Sequence, residues 1–262
     1  MRMKLTNYHT HTWRCFHAAQ VCDREYVENA IQAGFSVLGF SDHTPWPYAS
    51  GYVSENERMS VSQLDGYLSS IRALKEEYAD RIEIRVGLEC EYFPQYMDWL
   101  REQRSKTDYL ILGNHFGLSD EHGEPYYGKA EGPGVVEEYT AYTLAGMGTG
   151  LFACLAHPEL PFANHMAFDE EAQTGARMIC REAKAIGMPL EYNLYGTVKQ
   201  EQGKQKGLGY PAKEFWRAAS EYGCTAIVGV DAHKPEHMLD AERYRRARDY
   251  LEALNIKVIE EL

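Results

Sequence analysis

Along the chain, short apolar runs alternate with longer segments whose apolar positions recur every three or four residues. The segments "NAIQAGFSVLGFSDH", "REAKAIGMPLEYN" and "AASEYGCTAIVGVDAH" share one grammar: an alanine-rich helix end, a glycine, a short apolar run, then polar residues. The glycine suits a helix C′ position with positive φ. The apolar run suits a parallel strand buried on both faces. Repeated, this is the pattern of αβ units wound around a parallel sheet. It predicts strands near 4–8, 36–41, 82–89, 108–113, 151–156, 188–192 and 225–230, with "IKVIEEL" as an eighth. Helices are expected over 23–33, 62–78, 94–104, 134–147, 169–186, 211–222 and 236–253. The second carries Leu64, Tyr67, Leu68, Ile71, Leu74 and Tyr78, a stripe that should face the sheet. The stretches 44–60 and 116–133 read as long loops after strands, where function often resides.

The residues that end each apolar run are not typical of turns. The runs close, in order, on His9 and His11; Asp42 and His43; Glu89 and Glu91; Asn114 and His115; His157; Glu191 and Asn193; Asp231 and His233. Six of the ten histidines thus stand at C-terminal strand ends, and His17 follows soon after the first pair. In parallel α/β barrels and open sheets this edge is where ligands bind and chemistry occurs. On the first strand, side chains two apart share a face, so His9 and His11 converge on one point. Imidazoles aimed at one point make a poor core and good metal ligands. Seven imidazoles (His9, His11, His17, His43, His115, His157, His233) with Glu89 and Asp231 exceed the needs of one four-coordinate zinc. The mixed nitrogen and carboxylate set suits two or three ions of Zn, Mn or Fe, and not calcium or magnesium. Glu89 can bridge two ions with its two oxygens. Such a cluster generates hydroxide near neutral pH and clamps phosphoryl or carbonyl oxygens, so the residues point to a multinuclear metallohydrolase.

Composition narrows the partners. The 262 residues, 44% hydrophobic and 25% charged, suit one large domain, 1–262, without a linker. The formal charge of −12 argues against broad binding to nucleic acid or anionic membrane. A small phosphorylated substrate remains compatible, because the ions supply positive charge locally. "MRMKLTNYH" has no apolar signal segment and no apolar run is long enough to span a bilayer. The six scattered cysteines read as reduced and mostly buried in a cytoplasmic protein. Cys15 lies among the histidines as a further ligand candidate.

Taken together, HxH with a histidine six residues on, then SDH, GxE, single histidines after strands four and five, and DAH after strand seven resemble the PHP (polymerase and histidinol phosphatase) family. The resemblance runs from about residue 7 to 235. It implies a distorted (β/α)7 TIM-like barrel with a trinuclear centre in its C-terminal mouth. By that resemblance His9, His11, Glu89 and Asp231 hold one ion. Glu89 bridges to a second with His115 and His157, and His17, His43 and His233 hold the third. The segments "GLECEYFPQY" and "LEYNLYG…GYP" are most similar to the stand-alone histidinol-phosphatase branch, which implies hydrolysis of L-histidinol phosphate in histidine biosynthesis.

The mechanism this implies is in-line attack by a metal-bridging hydroxide, with Asp42 and His233 as helpers of the leaving group. Asp42 has a competing role, the orientation of a ligand imidazole. Glu91, Tyr92 and Tyr195 could form an acidic and aromatic rim for an amine. Asn193, at the strand-six end, is with Glu91 a candidate for binding substrate. Two departures from the family pattern stand out: Asn7 replaces an aspartate before HxH, and "NLYGTVKQEQGKQKG" lacks the usual arginine. Lys199, Lys204 and Lys206 are the candidates for its phosphate-facing role. Other small phosphates, an oligonucleotide or a non-catalytic metal-binding module remain as alternatives. His122, His165 and His237 read as exposed.

Overall fold

The computed structural model describes residues 4–54 and 56–262; of His122 only the backbone is described. Eight parallel strands form one sheet in sequential order: β1 (Leu5–Asn7), β2 (Phe35–His43), β3 (Glu83–Cys90), β4 (Tyr109–Leu112), β5 (Cys154–Leu155), β6 (Leu190–Asn193), β7 (Thr225–Gly229) and β8 (Lys257–Val258). Between them run α1 (Asp23–Ala33), α2 (Leu64–Glu77), α3 (Met97–Arg104), α4 (Val135–Met147), α5 (Glu170–Ile186), α6 (Leu194–Glu201), α7 (Lys213–Glu221) and α8 (Ala241–Ala253). The sheet curls into a distorted TIM-like barrel. At the mouth the chain beyond β1 meets the chain beyond β7: Thr10 bridges Ala232 and the His11 N–H donates to the Ala232 carbonyl at 2.9 Å.

Asn7 holds this closure. Its Oδ1 accepts from the Val230 N–H at 2.8 Å, and its Nδ2 donates to Thr10 Oγ1 at 2.7 Å and the His9 carbonyl at 3.0 Å. An amide can donate and accept at once. An aspartate carboxylate in this setting could only accept, so Asn7 does more here than stand beside the histidines.

The period of two along each strand separates core from site. Val37, Tyr109, Ile111 and Ile227 form a small inner cluster with Tyr8, Cys154 and Ala156. Continuing on the same faces, two residues at a time, the strands reach His43, His115 and Asp231. An apolar floor therefore passes into a polar mouth. The other strand faces, including Leu38, Phe40, Leu88, Leu110 and Leu112, join the main core. The α2 stripe is buried as its spacing requires, at Leu64, Tyr67, Leu68, Ile71 and Leu74.

Three elements depart from the sequence expectation. The fifth strand shrinks to two residues: 151–153 fall outside it at the start, and at its end the chain turns sharply at His157 (φ 28°), just ahead of Pro158. The last helix begins at Ala241, because residues 235–239 form a 3-10 turn and Asp240 caps the helix that follows. Helix α6 lies where the sequence pattern predicts no helix. It starts immediately after β6, with the Asn193 side chain accepting from the Gly196 N–H at 2.8 Å, so no turn composition announces it.

Candidate metal centre

The nine expected ligand residues meet at the barrel mouth. Glu89 stands at the centre, placed by a register that pairs it with His43 across β2 and β3. Its Oε1 faces His157 Nε2 at 2.9 Å and His115 Nε2 at 3.5 Å. Its Oε2 faces His43 Nδ1 at 3.1 Å, His9 Nε2 at 3.3 Å and His11 Nε2 at 3.6 Å. The two oxygens thus address two separate groups of imidazoles. Asp231 Oδ1 faces His11 Nε2 at 3.0 Å, His233 Nδ1 at 3.3 Å and His9 Nε2 at 3.5 Å. His17 lies on the outer side, its ring 4.8 Å from that of His233 and 5.2 Å from that of His43.

Space for the carboxylates comes from two glycines on neighbouring strands. A Cβ on Gly113 would overlap the Glu89 carboxylate, and one on Gly229 would overlap that of Glu191. Two of the candidate ligands also sit on left-handed backbone, His157 at φ 28° and Asp231 at φ 52°. Such non-glycine conformations cost about 1–3 kcal/mol each and gather at functional sites.

Around the centre, acceptors fix the imidazoles. The Nδ1–H groups donate from His9 to Glu191 Oε1 at 2.8 Å, from His115 to Glu91 Oε1 at 3.1 Å, from His233 to the Asp231 carbonyl at 3.0 Å, and from His17 to the Asn56 carbonyl at 3.1 Å. Each bond leaves Nε2 as the free nitrogen, the state a metal requires. Glu191 Oε2 also accepts from the His157 N–H at 3.1 Å and from Asn193 Nδ2 at 2.9 Å.

The electrostatics are those of a cluster wanting cations. Burial alone would raise the Glu89 carboxyl, but the facing His9, His115 and His43 imidazoles hold it well below the usual range. Asp231 is held down against burial in the same way by His9, His233 and His11. Burial pushes His43 and His233 well below an ordinary histidine, toward the neutral form. His9 is raised although burial opposes it, because Glu191, Asp231 and Glu89 surround it. His9 Nε2, Glu89 Oε2, Asp231 Oδ1, His11 Nδ1 and His157 Nδ1 are buried without a hydrogen-bond partner. Buried polar atoms are normally paired. Of the unpaired atoms, His9 Nε2, Glu89 Oε2 and Asp231 Oδ1 face the centre, and such a mixed nitrogen and carboxylate set left unpaired fits divalent transition ions.

Several expected site roles are corrected. Glu91 is 1% exposed, and both its oxygens are taken: Arg58 forks onto them at 2.9 and 3.0 Å, Trp46 Nε1 donates at 2.9 Å, and His115 completes the set. Glu91 cannot be a rim acid; it positions His115. Asn193 is also withdrawn from substrate, since its Nδ2 binds Glu191 and Asp231 Oδ2 (3.1 Å) while its Oδ1 caps α6. Asp42 is fully buried. Its Oδ2 accepts from the Thr12 hydroxyl and N–H, and its Oδ1 from the His43 N–H, so it braces the loop after HxH and is not open to a leaving group.

The three lysines separate. Lys206 is exposed and paired with Glu131, and Lys204 is exposed beyond the end of α6. Lys199 turns to the mouth: Nζ donates to the Tyr210 hydroxyl at 2.9 Å and lies 4.4 Å from the centre of the Tyr195 ring. Burial would lower its pKa, but Tyr126, Asp231, Tyr195 and Glu89 raise it, so it stays charged.

Tyr126 stacks on His115 at 5.8 Å, Tyr195 on His233 at 4.7 Å, and Tyr210 meets His157 edge-on at 6.0 Å. Tyr126 was invisible among 19 tyrosines, whereas Tyr210 stands in the quoted "GYP" segment without a role having been assigned to it. Glu191 was visible only as another strand-end acid. His237 and His165 are half-buried where exposure was expected. His237 Nδ1 accepts from the His233 N–H at 3.3 Å, and His165 pairs with Asp169. The side chain of His122 lies outside the described residues.

A mouth of seven histidines and two carboxylates at the C-terminal strand ends defines a divalent-metal-binding α/β barrel protein. The family model described as PHP domain matches residues 7–195. The chain belongs to the PHP family. It is 30% identical over 238 residues to a Deinococcus radiodurans protein named "Probable histidinol-phosphatase", covering 88% of this chain and 87% of that one. It is 31% identical over 124 residues, 45% of this chain and 46% of the relative, to the histidinol-phosphatase of Bacillus subtilis. Among solved structures, the histidinol phosphate phosphatase of Lactococcus lactis, complexed with zinc, L-histidinol and phosphate, superposes with a TM-score of 0.73 at 19% identity, over 98% of this chain and 95% of that one. At that identity the likeness is one of fold.

Proposed function

We propose that this protein is a metal-dependent phosphomonoesterase that hydrolyses L-histidinol phosphate to L-histidinol and phosphate. The observation that carries the chemistry is Glu89, whose two oxygens face separate imidazole groups. The substrate rests on the full-length relationship to a protein bearing the histidinol-phosphatase name. In this reading His9, His11, Glu89 and Asp231 hold one divalent ion, Glu89 with His115 and His157 a second, and His17, His43 and His233 a third. Zn, Mn and Fe all suit the donors. Bound ions supply Lewis acidity, neutralising phosphate oxygens and lowering the pKa of water.

The chain supplies the positioning. Glu191 and Glu91 lock the His9 and His115 rings through Nδ1. Lys199 offers an N–H donor to a phosphate oxygen, in place of the arginine of relatives, as a single point charge and not a bidentate fork. Tyr210 aims it, and Tyr126 and Tyr195 wall the mouth. Asp42, with both oxygens occupied, and His233, with Nδ1 bonded to the Asp231 carbonyl and Nε2 left for an ion, are both withdrawn from proton transfer to the leaving alkoxide and serve to position the centre.

The test is phosphate release by manganese-, zinc- and iron-loaded protein from L-histidinol phosphate, p-nitrophenyl phosphate, fructose 1,6-bisphosphate and a single-stranded oligonucleotide. The expected result is a kcat/KM for histidinol phosphate above about 10⁴ M⁻¹s⁻¹, far above the others. Weak hydrolysis of all four would remove the substrate assignment and leave the metal chemistry.

A further inference from the structure

Cys15 is the one thiol at the mouth, and no ligand role yet described uses it. It closes a 3-10 turn, Trp13–Cys15, in which the Arg14 N–H donates to the capping Thr12 hydroxyl oxygen at 3.3 Å. The next residue, Phe16, takes left-handed backbone at φ 63°, and the His17 N–H donates back to the Cys15 carbonyl at 2.8 Å. This tight reversal turns the side chains of Cys15 and His17 to the same side. Cys15 is fully buried, whereas Cys22, seven residues on, is exposed.

Its sulfur, one nitrogen of His17 and one of His233 all lie within 4.8 Å of one another. The same sulfur falls within 4.8 Å of a His11 nitrogen and an Asp42 oxygen, in a second such group. A second observation points into this space: His11 Nδ1, on a side chain 1% exposed, completes no hydrogen bond, its nearest carboxylate oxygen being Asp42 Oδ1 at 3.6 Å. Core packing does not account for the thiol either, since it faces imidazoles, and Cys15 belongs to neither apolar cluster.

We infer that Cys15 is a thiolate ligand of the outer ion, joining His17 and His233. This rests on the metal-centre reading above. On binding, the S–H bond breaks, the S–metal bond forms and the proton leaves to solvent, so no oxidant or reductant is involved. Thiolate is the softest donor in the mouth. The outer position therefore selects zinc, iron or cobalt over manganese, while the all-nitrogen and carboxylate positions accept manganese.

The test is optical and independent of turnover. Metal-free full-length protein is titrated with cobalt(II), read in the visible for cobalt uptake and in the near-ultraviolet for sulfur-to-cobalt charge transfer. Wild type should show both. Cys15→Ser should keep visible bands and lose the charge-transfer band, while Cys22→Ser keeps both. The affinity of the weakest-held zinc should also fall about 10–100-fold in Cys15→Ser, the size of effect seen when a metal site is disturbed. Cobalt uptake without a charge-transfer band in wild type overturns the inference and leaves the metal centre intact, as does a band that survives Cys15→Ser. Absence of cobalt uptake overturns the metal centre and the inference with it. Should Cys15→Ser fail to fold, wild type and Cys22→Ser decide: a band in both supports Cys15, since the other four cysteines lie in the apolar clusters.

Discussion

Arg58 offers the sharpest test of how the mouth is held. It is 2% exposed and lies in the long loop between β2 and α2. Its guanidinium forks onto Glu91 at 2.9 and 3.0 Å, reaches Asp120 Oδ2 at 3.2 Å and the Thr44 carbonyl at 3.0 Å. Asp120 in turn accepts from the Tyr48 hydroxyl and from Ser54 Oγ at 2.7 Å. Both long loops over the mouth are thereby tied to the end of β3, and through Glu91 to His115.

Arg58→Met keeps much of the volume but leaves two buried carboxylates without their cation. Breaking a buried pair from one side costs about 3–5 kcal/mol, a large part of the roughly 5–15 kcal/mol that holds a typical domain together. Arg58→Lys should recover part of this, since a point charge can face both acids without the fork. The assay is denaturant unfolding of the metal-free protein, with Glu91→Gln and the double variant completing a cycle. The double variant should be at least about 1 kcal/mol more stable than the sum of the single losses, as coupled contact pairs are. A loss below about 1 kcal/mol for Arg58→Met, or strict additivity, would refute the reasoning.

Further expectations test the proposed centre. Glu191→Gln keeps an acceptor for His9 but removes its charge, and metal affinity should fall about 10–100-fold by titration. Gly113→Ala should displace the Glu89 carboxylate and lower the number of ions retained after dialysis, with helical circular dichroism unchanged. Lys199→Met should raise KM for histidinol phosphate by about tenfold or more, the worth of one hydrogen bond to a charged group; Lys206→Met should leave it unchanged. Removal of metal by chelation should abolish phosphatase activity and lower Tm, with recovery of both on adding zinc or manganese, because ions that bind only the folded state stabilise it.

What the chain alone determined follows from local rules. The two-residue period and the helix–glycine–strand grammar require only neighbours in sequence, so the parallel sheet and its strand ends were legible. Most of the candidate ligands were legible for the same reason, since they stand at or just past the ends of the strands that present them; His17, in the loop beyond β1, was legible only through its spacing from His9 and His11. Helix α6 was not legible, because its start is set by the Asn193 cap and by packing, with no break in composition before it.

Tertiary structure decided what each polar group faces. Glu91 looked like Glu89 in sequence, yet Arg58, 33 residues upstream, takes both its oxygens. Lys199, Lys204 and Lys206 are alike as residues, and only the turn of α6 brings one of them to Tyr210. Tyr126 and Cys15 reach the mouth through loop paths that no periodicity encodes. A charge in a buried site is defined by its partners, and those partners are distant in the chain.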